Sequence, residues 1–217
     1  MATTHTRPEN YVPAAGHDVL LPLYDPLQRF LFREDKLRPA LLELSRVGAG
    51  SRVLDVGCGT GTQAVLTKQA HPDAEVIGLD GDAKALSRAR AKASRAGVAV
   101  QLDEALATAM PYPDAHFDRV VSSLVFHHLE DADKRRALAE IRRVLAPGGL
   151  FVLADFGRPV NWFERWLAGR LERFEEARTN ITGGLRDLLA QAGFTSIEEA
   201  PLYSMGFARV WSWRAQR

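Results

Sequence analysis

The stretch V-L-D-V-G-C-G-T-G, Val53 to Gly61, decides the fold. An apolar run ending at Asp55 breaks into three alternate glycines, Gly57, Gly59 and Gly61. The pattern predicts a buried strand, a tight turn and the first turn of a helix opening near Thr62. Glycine suits such a turn because it adopts positive φ and lets backbone approach a ligand with no Cβ between them. The N–H groups at the helix start would then face that ligand. A second apolar strand, Val76-Ile77-Gly78-Leu79, closes on Asp80, about twenty residues beyond the last glycine. A carboxylate at that distance is where a ribose-binding acid belongs in a nucleotide-binding βαβ unit.

Two nucleotide ligands compete for this turn. The dinucleotide fingerprint is G-x-G-x-x-G, whereas this chain has G-x-G-x-G with Asp55 just ahead of it. A carboxylate there would repel a diphosphate, but it suits a cation carrying an ammonium and a sulfonium. That ligand is S-adenosylmethionine. With it, the chain resembles a class I S-adenosylmethionine-dependent methyltransferase of the branch containing the ubiquinone/menaquinone C-methyltransferases. The resemblance rests on four blocks: Val53–Gly61, Val76–Asp80, the run M-P-Y-P-D-A-H-F-D-R-V-V-S-S-L-V-F-H-H-L from Met110 to Leu129, and R-V-L-A-P-G-G from Arg143 to Gly149.

The resemblance implies S-adenosylmethionine as cofactor, becoming S-adenosylhomocysteine on transfer, and a site made of several residues. Asp55, with Gly57, Gly59 and Gly61, would seat the methionine end, and Asp80 would accept from the ribose hydroxyls. Asp55 could instead serve only to end its strand. Ser123, closing the fourth strand, would reach the methionine portion, while Ser122 should face the other way. Relatives carry an acid-alanine pair at the adenine, which falls here on Leu106-Ala107. Leu106 offers no side-chain acceptor, so either backbone groups hold the adenine or Asp103 or Glu104 is shifted into the role. His127 and His128 are candidates for a catalytic base. The competing reading makes one a core or helix-start residue and the other a lining residue. Tyr24 resembles a lid tyrosine over the cofactor, with core packing as its rival explanation.

Composition narrows the rest. The chain has 217 residues, 46% hydrophobic and 25% charged, with a formal net charge of +1. That size suits one domain with a substantial core. Its near-neutral charge gives no case for nucleic-acid binding. Cys58 is the single cysteine, so an intrachain disulfide or a multi-cysteine metal site is excluded, and no metal is expected. The polar start and the lack of a run of ~18 apolar residues point to a cytoplasmic protein with no membrane span.

Strand and helix patterns alternate along the chain. Helices are expected over Leu37–Val47, Thr62–Ala70, Ala83–Ala96, Ala132–Leu145 and Gly184–Ala192. Strands are expected over Arg52–Val56, Glu75–Leu79, Val98–Leu102, Phe117–Leu124 and Leu150–Ala154. Gly97 should stop the third helix, Asp82 should cap its start, and Pro147-Gly148-Gly149 should end the fourth. Two last strands, Thr195–Leu202 and Phe207–Trp213, read as a hairpin. The result is an α/β fold: a Rossmann-like, seven-stranded, mostly parallel sheet with helices on both faces and a C-terminal antiparallel hairpin. Residues 1–36 would form a tail and lid, with Tyr11 to Phe32 closing over the cofactor and His17 joining the lining. Residues 37–217 would form the methyltransferase domain, with a helical insertion at about 160–180 whose apolar stripe includes Trp162, Phe163, Trp166 and Phe174.

The activity implied is methyl transfer by in-line displacement to a small or medium-sized molecule. Alignment and exclusion of water would supply much of the acceleration. A macromolecular acceptor, tRNA or protein, is the alternative within the fold. A cofactor-binding protein without turnover is the alternative from another class, and a nicotinamide oxidoreductase comes last.

Overall fold

The computed structural model describes residues 33–162, 164–166, 175–205 and 208–217. Seven strands form one sheet in the order β3-β2-β1-β4-β5-β7-β6. They are β1 (Arg52–Val56), β2 (Glu75–Asp80), β3 (Gln101–Glu104), β4 (Phe117–Ser123), β5 (Leu145–Gly157), β6 (Thr195–Ser204) and β7 (Arg209–Gln216). The first five pair in parallel, and β7 joins β5 and β6 antiparallel, as the hairpin pattern predicts. The helices that accompany them include α1 (Glu34–Ser45), α2 (Thr62–Ala70), α3 (Ala83–Ala96), α4 (Asp131–Val144), α5 (Glu175–Thr182) and α6 (Leu185–Gln191).

The period of two along each strand sorts side chains onto two faces. Leu54 and Val56 of β1, Val120 of β4, and Phe151 and Leu153 of β5 share one core with Leu138 and Ile141 of α4 and Leu185 and Leu189 of α6. Val121 of β4 and Val152 and Ala154 of β5 pack in a second core against Leu37 and Leu41 of α1. The same alternation sends Asp55 and Ser123 to the α1 side and Asp155 to the α4 side. Each face thus brings different chemistry to the carboxyl edge of the sheet.

Several boundaries differ from the sequence reading for local reasons. β3 begins at Gln101 rather than Val98, because Val98 donates to Ala93 O and Gly97 to Ser94 O, closing α3 with a left-handed glycine. β5 begins at Leu145, so Pro147-Gly148-Gly149 lies within the strand instead of ahead of it. Leu145 pairs with Phe117 and Leu150 with Arg119, and the residues between them bulge out of register. α1 starts at Glu34, ahead of Leu37. The caps at Asp82 and Gly97 are as expected. The lid segment Tyr11–Phe32, with His17 and Tyr24, lies outside the described residues, as do Phe163 and Phe174. Trp162 and Trp166 of the same stripe are exposed.

Beyond β5 the chain is fastened at the carboxyl edge by Glu164, which is 2% exposed. Its carboxylate accepts from Val160 N (2.9 Å), Ser204 Oγ (2.7 Å), and Arg209 Nε (3.1 Å) and Nη2 (2.8 Å). Burial works to raise its pKa, but the Arg209 guanidinium, the Val160 N–H and the Ser204 hydroxyl together hold it down at about 2. A depressed carboxyl contributes stability that is complete above its unfolded pKa and is lost as pH falls toward 2. Replacing Glu164 with Ala strands Arg209 and should cost about 2–4 kcal/mol in urea unfolding at pH 7. That loss should shrink steadily as the measurement is repeated down to pH 3.

Candidate active site at the carboxyl edge of the sheet

In an open α/β sheet, ligands bind where neighbouring crossovers diverge, at the carboxyl ends of the strands. Here that point lies between β1 and β4, the two strands that pair directly although far apart in sequence. β1 ends there in the glycine turn. Gly57, Gly59 and Gly61 all have positive φ, at 69°, 54° and 75°. A Cβ on Gly59 would meet nothing within 4 Å, so the turn is open on that side. The N–H groups of Gly57 and Cys58 both donate to Leu79 O, and Gly61 N–H donates to Cys58 O. Cys58 itself is a buried filler against Gly78, and burial pushes its thiol up, out of the nucleophilic range.

Asp80 braces the turn from β2. One oxygen accepts from Gly59 N (2.7 Å) and the other from Asp82 N (2.9 Å). Each oxygen still has a lone pair for a further donor, which is what a ribose diol requires.

Asp55 is almost fully enclosed, and its Oδ2 has no hydrogen-bond partner. Burial raises its pKa to about 7, against the nearby Arg38 charge and the Ala64 N–H, with Asp80 adding to the rise. Arg38 comes from α1, where the sequence reading placed no site residue. Its Nη1 donates to Ser123 Oγ (3.0 Å) and its Nη2 to Glu34 Oε1 (2.9 Å), while its buried Nε is unbonded. An unanswered carboxylate oxygen and an unanswered guanidinium N–H thus stand on the same face. They fit the ammonium and the carboxylate of a methionine end, one charge each. Ser122 turns away as expected and donates to Val56 O at 2.9 Å.

The α4 side carries the second constellation. A 3₁₀ turn at Phe126–His128 follows β4, and His127 Nδ1 lies 2.8 Å from Asp155 Oδ1. Asp155 is wholly buried and also accepts from the N–H groups of Val125, Phe126 and Phe156. Burial tends to raise its pKa, yet the His127 ring, its hydrogen bond and the Phe156 N–H keep it below the ordinary carboxylate range. An ionised Asp155 can only accept, so His127 donates to it through Nδ1–H and turns Nε2 away from the carboxylate. The His128 ring lies against that of His127, tilted by 43° with centroids 3.9 Å apart. Asp155 went unread in the sequence because nothing in L-A-D-F marks it; the period of two from Phe151 and Leu153 would have put it on the α4 face.

The loop after β3 holds Leu106 and Ala107. It is tied down by Met110, whose N–H donates to Glu140 Oε2 and whose carbonyl accepts from Arg143 Nη2. Leu106 is exposed at the rim. Asp103 is engaged elsewhere, accepting from Tyr112 Oη (3.0 Å) and Gln101 Nε2 (2.9 Å). Among the described residues no cluster of His, Cys, Asp and Glu could hold a metal, and no helix is long and apolar enough to cross a membrane.

The raised Asp55 pKa has a measurable consequence in the cofactor-free protein. Between the unfolded value of 3.8 and about 7, the folded state binds the extra proton, so stability falls as pH rises through that window. Asp55→Asn should therefore raise the unfolding free energy of cofactor-free protein at pH 8, and raise it much less at pH 5. Equal effects at both values would mean the carboxylate is already compensated.

Comparison with known proteins bears on the whole arrangement. Residues 53–149 match a family described as a methyltransferase domain. A demethylmenaquinone methyltransferase of Thermus thermophilus is 41% identical over 142 residues, covering 64% of this chain and 64% of its own length. The chain therefore spans somewhat less than two thirds of that relative. An uncharacterized methyltransferase of Synechocystis sp. is 35% identical over 187 residues, covering 85% of each. A SAM dependent methyltransferase from Aquifex aeolicus shares the fold with a TM-score of 0.68 at 18% identity, over 91% of this chain and 96% of that one. With the glycine turn, the acid closing β2 and the sheet order all in agreement, the chain belongs to the class I S-adenosylmethionine-dependent methyltransferases, in the branch that includes the ubiquinone/menaquinone C-methyltransferases.

Proposed function

We propose that the chain methylates a small molecule with an apolar frame at, or conjugated to, an ionisable hydroxyl, and that His127 is the base that takes the hydroxyl proton. The observation that carries this reading is the 2.8 Å contact of His127 Nδ1 with the buried carboxylate of Asp155. A base is needed only where the acceptor must lose a proton, and a phenol, enol or quinol is such an acceptor. The Thermus relative, named a demethylmenaquinone methyltransferase, is in keeping with a quinol.

S-adenosylmethionine, when bound, supplies an electrophilic methyl group on a sulfonium. Asp55 and Arg38 answer the charges of its methionine end, and Asp80 accepts from the ribose hydroxyls without giving up Gly59 N–H. Gly57, Gly59 and Gly61 keep side chains out of the way, Ser123 holds the Arg38 guanidinium, and Leu106 and Ala107 line the adenine by apolar contact and backbone. His127 Nε2 receives the acceptor proton, and the resulting imidazolium is stabilised by the Asp155 carboxylate, itself fixed by three backbone N–H groups. His128 supports the His127 ring by tilted ring contact. Exclusion of water by the surrounding apolar residues strengthens each of these interactions.

Asp80→Ala removes a charge-assisted acceptor, and affinity for S-adenosylmethionine in isothermal titration should fall by roughly ten- to a hundredfold. The circular dichroism spectrum should persist. Unchanged affinity would mean that β2 has been misassigned to the ribose.

The activity is tested by incubating the protein with S-adenosylmethionine and a panel of naphthols, naphthalenediols and reduced naphthoquinones, following S-adenosylhomocysteine release. His127→Ala should lower kcat by about 10²- to 10⁴-fold with little change in cofactor affinity. Methylation confined to tRNA or protein, or turnover undiminished in His127→Ala, would overturn the proposal.

A further inference from the structure

The amino edge of the sheet, opposite the glycine turn, holds a cleft of about 170 Å³. α1 packs on β4 and β5 and ends at Ser45, and the cleft lies beyond that end. Its wall is set by strand register. Arg119, Leu150 and Gln216 form one row across β4, β5 and β7. Two residues along, Val152, Arg214 and Glu198 form another across β5, β7 and β6. The period of two puts both rows on the α1 face.

Among the described residues three guanidiniums, those of Arg46, Arg119 and Arg214, line the cleft with a single carboxylate, that of Glu198, which leaves it a formal charge of +2. Arg214 pairs with Glu198, but the Glu198 side chain is 66% exposed, so solvent screens much of what it offsets. Arg119 is held without being neutralised, since it donates from Nε to Arg46 O (3.2 Å) and from Nη1 to Asp118 O (2.8 Å). Those bonds cap the end of α1 and leave Nη2 for another acceptor.

The backbone opens toward the same place. Gly148, in the bulge of β5, has φ 75°, and a Cβ there would meet nothing within 4 Å. Ser196 sits where β6 slips register between Thr195 and Glu198, with φ 49°, a conformation disfavoured for a side chain of this hand. Both residues line the cleft, where Ser196 adds a hydroxyl and Gln216 an amide.

We propose that this cleft binds a small phosphate-bearing anion, at a site separate from that of methyl transfer. Its donors come from the end of α1 and from β4, β6 and β7, and so surround a ligand instead of facing it from one plane. A phosphate offers three acceptor oxygens in different directions, whereas a carboxylate offers two in one plane. Guanidinium forks match such oxygens in pairs.

The probes are inorganic phosphate, pyrophosphate and acetate, titrated calorimetrically at constant ionic strength. Pyrophosphate should bind more tightly than phosphate, and acetate roughly tenfold more weakly than phosphate or not at all. Filling the cofactor site with S-adenosylhomocysteine should leave pyrophosphate binding unchanged. In the double variant Arg46→Gln/Arg214→Gln pyrophosphate affinity should fall by roughly ten- to a hundredfold, with the circular dichroism spectrum and S-adenosylmethionine affinity retained. Glu198→Gln should instead tighten pyrophosphate roughly two- to fivefold, which a purely structural ion pair would not do. The proposal is overturned by absence of pyrophosphate binding at millimolar concentration, by binding that survives the double variant, by competition with S-adenosylhomocysteine, or by weaker binding in Glu198→Gln.

Discussion

A Cβ built on Gly57 would fall 2.3 Å from Val125 Cγ2, closer than any side chain permits. The two halves of the site depend on this approach. Gly57 continues β1 and opens the cofactor turn, whereas Val125 follows β4 and gives its N–H to Asp155, which in turn holds His127. Any residue larger than glycine would push the turn and the 3₁₀ segment apart, and its φ of 69° would be strained as well. The conformation and the contact are therefore one requirement, met by the same absent side chain. It lets the edge that carries Asp55 and the segment that carries His127 come close together.

The strand period explains why the two edges differ. Asp55 and Ser123 leave their strands on the α1 side, where Arg38 meets them; Asp155 leaves on the α4 side. The sheet lies between, so the two groups converge only above its carboxyl edge. A cofactor charge answered on one side then need not compete with the imidazole proton on the other.

Much of this was legible in the sequence, and the physical reason is that local chemistry enforced it. Three glycines and two flanking acids have few ways to satisfy strand, turn and helix start together, so β1, α2, β2 and Asp80 follow directly. Parallel order and the terminal hairpin come from pattern spacing, and Ser122 and Ser123 separate by simple alternation. Three features escaped. Leu145 joins β5 because it pairs with Phe117 across a bulge, a tertiary contact that overrides the usual reading of Pro147-Gly148-Gly149 as a stop. Arg38 sits beside the buried Leu37 and Leu41 stripe, where a lone arginine looks like an ordinary helix-face residue. Asp155 has no motif around it, and only the period of two from Phe151 and Leu153 places it on the α4 face.

The distribution of satisfied and unsatisfied polar groups separates architecture from function. Glu164 and Arg143 each take several partners and fasten loops. Such groups offset their desolvation within the fold itself. Asp55 Oδ2 and Arg38 Nε are left without a partner, although the Arg38 guanidinium also donates to Ser123 and Glu34, and the fold gains nothing from leaving these two atoms open. Their cost is recovered only by something that arrives with matching charges and hydrogen bonds. The cation-seeking oxygen and the anion-seeking N–H both lie toward the one edge where β1 and β4 end. Stability is given up at that edge, as expected of a surface shaped by its ligands.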